Sequence, residues 1–220
     1  MKLNRKKLIS SLLVIGSIGA VIWIAFSNNE LEDAWGALGS LNFWWVLGEV
    51  WLCSGQSNME MPLSGFGFQE VEGATEAIMA APETASQVRV FDVRTPKRYE
   101  PQADVDNVWT YSTSAVAART SAVAYFFARR LAKALDVPVG IIVTAWGGSR
   151  IEPWMTRETI DGAGLTQEEL DALYAVPDIP DRWPETPETI WNGRVKPIVG
   201  YTAKGILWYQ GCSNMDPECG

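Results

Sequence analysis

Three short β-forming runs, each breaking off into a small polar turn, constrain this chain more than any other feature. Val50–Cys53 leads to Gly55-Gln56-Ser57-Asn58, Val139–Thr144 to Ala145-Trp146-Gly147-Gly148-Ser149, and Ile206–Tyr209 to Gln210-Gly211-Cys212-Ser213-Asn214. The middle run is continuously apolar, as a strand buried on both faces of a parallel sheet must be. In such a sheet the carboxyl tips share one edge, and that edge is where ligands bind. Ester hydrolysis needs a nucleophile and donors aimed at the developing oxyanion. Ser57 fits the first role. The backbone N–H groups of Ser57 and Gly148 and the side-chain amide of Asn214 fit the second. Gln56, Asn58 and Gln210 stand beside them as candidate substrate contacts. The plainer alternative is that Ser54, Gln56, Ser57 and Asn58 form a polar turn capping the next helix.

The intervening segments read as α/β. Val88–Val93 alternates like a strand. Thr120 or Ser121 can cap a helix running through Ala122 to Leu135. Val123, Phe126, Phe127, Arg130, Leu131 and Ala134 would give that helix one mainly apolar face. Thr166-Gln167-Glu168-Glu169 is a capping box before a helix ending at Tyr174. Four prolines in 176–189 predict a surface loop, and Lys204–Tyr209 a last strand. Strands alternating with helices predict a parallel, three-layer α/β/α domain.

The composition narrows the chemistry. The 220 residues hold 18 Lys and Arg against 26 Asp and Glu, a net charge of −8. Four of the cations are Lys2, Arg5, Lys6 and Lys7, so the remainder has 14 against 26 and carries −12. An acidic body works against nucleic acid as a partner. There is no histidine, which removes the commonest general base and the commonest zinc ligand together. Cys53, Cys212 and Cys219 lack metal-ligand spacing; Cys53 reads as a buried thiol, and Cys212 and Cys219 are spaced to close a small loop in an oxidising compartment. Eleven tryptophans leave room for an aromatic sugar platform, although core packing is the commoner use of each.

Residues 1–7 are basic, and Leu8–Phe26 is a run of 19 uncharged, mostly apolar residues. That is the layout of a signal sequence, but the run is long enough to cross a bilayer. An uncleaved N-terminal hydrophobic helix is expected, with Lys2–Lys7 cytoplasmic and the rest outside, or else export of the chain. Trp44 and Trp45 have the character of membrane-interface aromatics. Residues 1–47 resemble the opening of flippase-like membrane proteins related to lysylphosphatidylglycerol synthases. The division expected is therefore 1–47 as an anchor region and 48–220 as the catalytic domain.

The three tips, quoted in full, carry a further resemblance. Trp51-Leu52-Cys53-Ser54-Gly55-Gln56-Ser57-Asn58-Met59, Trp146-Gly147-Gly148-Ser149-Arg150-Ile151-Glu152-Pro153-Trp154 and Leu207-Trp208-Tyr209-Gln210-Gly211-Cys212-Ser213-Asn214 resemble the sialate O-acetylesterases, which are SGNH (GDSL-like) hydrolases. Trp191-Asn192-Gly193-Arg194-Val195-Lys196-Pro197 is similar to a further block of that family. The resemblance implies a flavodoxin-like fold and removal of acetyl groups from hydroxyls of sialic acids or related sugars, with neither a metal nor an organic cofactor. Ser57 would be the nucleophile, with Gly148 and Asn214 as oxyanion donors and Gly147 as the alternative to Gly148. Two departures stand out. Cys212 occupies the place of the family's Glu, and the family's catalytic Asp and His lie in a later Asp-x-x-His block that these 220 residues do not contain. The expectation is the amino-terminal part of a serine esterase, or a truncated or misjoined product, inactive or weak as it stands. Two other readings remain: an acetylxylan-type polysaccharide esterase, and a sugar-binding pseudoenzyme using Trp146, Trp154 and Trp208.

Overall fold

The computed structural model describes residues 48–175 and 185–215, and the anchor segment 8–26 and Cys219 lie outside them. Strand β1 (Glu49–Gly55) is followed by a single helical turn, α1 (Ser57–Glu60), and by α2 (Ala74–Ala80). Then come β2 (Val88–Asp92), a two-residue β3 (Thr110–Tyr111), α3 (Ser114–Arg119), α4 (Ala122–Leu135) and β4 (Val139–Ala145). Two more helices, α5 (Arg157–Asp161) and α6 (Gln167–Tyr174), precede β5 (Gly205–Tyr209). The sheet order is β3-β2-β4-β1-β5, parallel except for β3, which pairs antiparallel with β2.

This order creates the crevice. The chain leaves β1 toward β2, passing β4, and leaves β4 toward β5, passing β1. The connections diverge at the carboxyl ends of β1 and β4, the switch point at which open α/β sheets bind ligands. The sheet can hold that geometry because its centre is dry. All seven residues of β4 are buried, and its β-branched side chains fit a pleated surface covered on both sides. Val139, Ile141 and Val143 join Cys53 and Val90 in one cluster, each such side chain contributing roughly 1.5–3 kcal/mol by its burial.

Helix α4 starts and stops where its chemistry dictates. The Ser121 hydroxyl accepts the Ala124 N–H at 3.2 Å, and the helix ends at Asp136, whose φ of 53° is left-handed. Its buried face differs from the one expected. Ala122, Ala124, Tyr125, Ala128 and Ala132 face the sheet, while Val123, Phe126, Phe127 and Leu131 are half-buried and Arg130 and Ala134 exposed. Small side chains let the helix lie close against β2 and β4, and the bulky ones fill the flanks. Phe127 meets Trp51 edge-on with centroids 4.9 Å apart. The capping box on α6 forms as read, with Thr166 Oγ1 accepting the Glu169 N–H and Glu169 Oε2 accepting the Thr166 N–H. Among the described residues no helix is long and apolar enough to cross a membrane.

Cys53 supplies a test of this core. Its side chain is fully buried, and desolvation pushes the thiol from 9.0 to about 12. Below pH 9 it is protonated in folded and unfolded chain alike and adds no pH dependence. Between pH 9 and 12 only the unfolded chain ionises, so stability falls, by on the order of 2 kcal/mol at pH 10.5. Urea unfolding of Cys53→Ala should show a shallower loss across that window than the parent; equal slopes would contradict the assignment.

Candidate active site

The three strand tips come together, and backbone bonds join them. Gly55 O accepts the Trp146 N–H at 2.9 Å, and the Gln56 N–H donates to Tyr209 O at 3.0 Å. Gly55 lies at φ +147°, and a Cβ there would sit 2.2 Å from Tyr209 O, so only glycine lets the ends of β1 and β5 approach this closely.

Side chains complete the join. Gln56, only 4% exposed, accepts the Gly211 N–H at 2.9 Å and the Ser213 N–H at 3.4 Å through Oε1. Gln210 Nε2 donates to Asn214 Oδ1 at 2.6 Å and to Ser149 O at 3.4 Å. These two glutamines brace the tips against one another. Asn58 alone of the three candidate substrate contacts is exposed.

Ser57 opens α1 at the crevice, half-buried, with its backbone N–H in the first turn of that helix. Such an N–H has no partner within its own helix. The second tip runs directly beside it. A Cβ built on Gly147 would lie 3.5 Å from Ser57 Cβ and 2.6 Å from Glu60 Oε2, so a side chain at 147 would displace that carboxylate. Glu60 Oε2 already accepts the Gly147 N–H at 2.7 Å. The Gly148 N–H, by contrast, has no hydrogen-bond partner among the described residues. Of the two neighbouring amides, Gly148's is the one open to a ligand.

Asn214 sits on the third tip. Its Oδ1 accepts the Ile151 N–H at 2.8 Å, and its Nδ2 donates to both oxygens of Glu152 at 3.1 and 3.2 Å. An amide nitrogen carries two hydrogens. The Glu152 carboxylate therefore fixes the plane of the group, and a further acceptor is served only when one hydrogen is shared between the two carboxylate oxygens.

Glu60 and Arg194 were not singled out in the sequence. Arg194 is 6% exposed and donates to Ala145 O at 2.6 Å and to Thr95 O at 2.7 Å. Its guanidinium lies 4.0 Å over the Trp146 ring. Desolvation pulls it down to about 10, opposed by Glu60 and Asp92, so it remains charged at neutral pH. Arg194 thus holds the end of β4 from one side while Glu60 holds Gly147 from the other. A cation inside the Trp191–Pro197 block was the available signal, since a charge among residues that fold inward needs internal partners.

The proposed Trp platform does not assemble. Trp146 lies under Arg194, Trp154 is buried with its indole N–H on Ser149 Oγ at 2.9 Å, and only Trp208 is exposed. Trp154 and Trp208 pack edge to face at 5.5 Å. Cys212 is an exposed free thiol. Among the described residues no group of three His, Cys, Asp or Glu side chains is placed to hold a metal ion.

Residues 47–219 match the family described as SASA, the sialic acid-specific acetylesterases among carbohydrate esterases. The chain is 29% identical over 215 residues to the sialate O-acetylesterase of Mus musculus and 30% identical over 178 residues to that of Homo sapiens. These alignments cover 81% and 78% of this chain but 38% and 32% of the relatives, so the chain spans about a third of their length. A carbohydrate acetylesterase from Xanthomonas citri superposes with a TM-score of 0.59 at 33% identity, over 76% of this chain and 33% of that one.

Proposed function

The chain belongs to the sialic acid-specific acetylesterase family of carbohydrate esterases, and from that premise we propose that it carries the nucleophile and oxyanion portion of a sugar acetylesterase site. The convergence of Ser57, Gly148 and Asn214 at the carboxyl ends of β1, β4 and β5 carries this reading. Ser57 Oγ attacks the acetyl carbonyl. The Ser57 and Gly148 N–H groups and the Asn214 amide receive the oxyanion, and the carbon–oxygen bond to the sugar breaks. The sugar leaves as a free hydroxyl, and water then releases acetate from acetyl-Ser57. The fold on this reading is the three-layer, flavodoxin-like SGNH arrangement. Residues 48–220 are the hydrolase domain, and residues 8–26 anchor it to a membrane with the domain outside the cytoplasm.

The nucleophile needs a proton acceptor. No histidine occurs in the 220 residues, and Glu60, one turn beyond Ser57, already has an oxygen on the Gly147 N–H. Without a base, Ser57 is a weak nucleophile, and general-base assistance is worth roughly 10²–10⁴-fold. The 220-residue chain should therefore release acetate from a chromogenic acetyl ester slowly. Mass spectrometry should find acetyl accumulating on Ser57, and Ser57→Ala should lose both signals. Fast turnover that survives Ser57→Ala, or acetyl on another residue, would refute the assignment.

A further inference from the structure

Two cavities share a wall, and the smaller of them reaches the last residue of α1. A cleft of about 740 Å³ runs past the carboxyl end of β2 and is lined in part by Asp92, Arg94, Arg98, Asp104, Asp106 and Arg119. A smaller one of about 280 Å³ is lined by Glu60, Pro62, Ser64, Phe66, Arg94 and Arg119. Arg94 and Arg119 form their shared wall. Glu60, on the smaller cavity, is the residue that holds Gly147 against Ser57. The arginine wall is thus linked to the Ser57 turn through Glu60, and the larger volume lies in the range of small-molecule sites, roughly 300–1,000 Å³.

The two cations are held differently. Arg94 lies two residues past the end of β2 and is tethered, with Nε on Asp92 Oδ2 at 2.6 Å and Nη2 on Arg119 O at 3.2 Å. Arg119 ends α3, is exposed, and its guanidinium has no partner among the described residues. Most of the surrounding carboxylates are already engaged. Asp92 is taken by Arg94, Asp104 accepts the Val105 N–H at 2.7 Å, and Glu60 accepts the Gly147 N–H. Asp106 also lines the larger cavity. In a chain of net charge −8, an arginine left open here is placed to receive an anion. A guanidinium offers a carboxylate two parallel N–H groups in a fixed plane, which an ammonium cannot.

We propose that Arg119, positioned by Arg94, is a specificity-determining residue that binds the carboxylate of an acetylated sugar acid and so selects acidic over neutral acetylated sugars. The proposal rests on reading the crevice as a sugar esterase site. An acetylated neutral polysaccharide presents nothing for this pair to bind, whereas a sialic acid carries one carboxylate.

Binding tests this without requiring turnover. The full chain is titrated with N-acetylneuraminic acid and with its uncharged methyl ester, by calorimetry or saturation-transfer NMR. The free acid should bind roughly tenfold more tightly than the ester, with the difference shrinking as salt is raised. Arg119→Ala should erase that preference while leaving the ester's affinity unchanged, and Arg119→Lys should restore part of it. The Arg119 side chain is exposed and makes no hydrogen bond or ion pair among the described residues, so the melting temperature should hardly move, and Ser57→Ala should keep the preference intact. Equal binding of acid and ester by the parent chain, or a preference that survives Arg119→Ala, overturns the subsite alone and leaves the esterase reading standing. Binding of neither sugar overturns both.

Discussion

Gly55→Ala should destabilise the domain by about 3–5 kcal/mol, at the upper end of what single substitutions do. Two costs add. The new Cβ falls 2.2 Å from Tyr209 O, 2.6 Å from its carbonyl carbon and 2.9 Å from its N, all backbone atoms with no flexible end to swing away. The residue is also at φ +147°, a conformation worth roughly 1–3 kcal/mol of strain for anything but glycine. Relief requires β5 to move, which breaks the Gly55–Tyr209 pairing and the Gln56–Tyr209 hydrogen bond. Gly164→Ala is the control, because Gly164 has φ +80° but nothing within 4 Å of a Cβ. It keeps the strain and lacks the clash. Urea unfolding should separate the two variants by at least about 2 kcal/mol. Matching losses would show that the ends of β1 and β5 are not locked together.

Arg194→Met should cost about 2–4 kcal/mol, since it keeps much of the volume but strands the carbonyls of Ala145 and Thr95. The charge opposite Glu60 disappears with it. Glu60→Gln alone should cost less, because the amide oxygen can still accept the Gly147 N–H. The double variant should lose less than the sum of the two, by about 0.5–1 kcal/mol, as residues coupled through a field do. Strict additivity in denaturant unfolding would mean that the two act on the β4 tip independently.

Much of the scaffold was legible because it rests on local signals. The unbroken apolar run of β4, the Ser121 cap and the Thr166–Glu169 capping box each declare themselves within a few residues. So did the polar tips, since a strand that ends in Gly and small polar residues reads the same in sequence and in space. The buried face of α4 was misjudged because hydrophobicity favours Phe126 and Leu131, whereas close packing on a sheet favours Ala124, Ala128 and Ala132. Gln56 and Gln210 looked like substrate contacts because polarity at a tip does not say whether a side chain turns outward or spans to the next tip. Glu60 and Arg194 were out of reach for a related reason. Their partners are 87 and 49 residues away, and such pairings exist only once the sheet order is known.

Strand β5 gives the crevice an uneven rigidity. Within the described residues it is paired on one side only, and Ile206, Trp208 and Tyr209 are 64, 44 and 50% exposed, whereas β4 is enclosed along its whole length. Local opening free energy follows burial and pairing, so β5 opens more readily than its neighbours. Yet β5 delivers Gln210, Gly211 and Asn214. Ser57 and Gly148 thus belong to the stiff half of the crevice and Asn214 to the yielding half. Asn214, proposed above as an oxyanion donor, is the residue whose place is set by whatever steadies that strand, and the Gln56 clip to Gly211 is what the described residues provide for it.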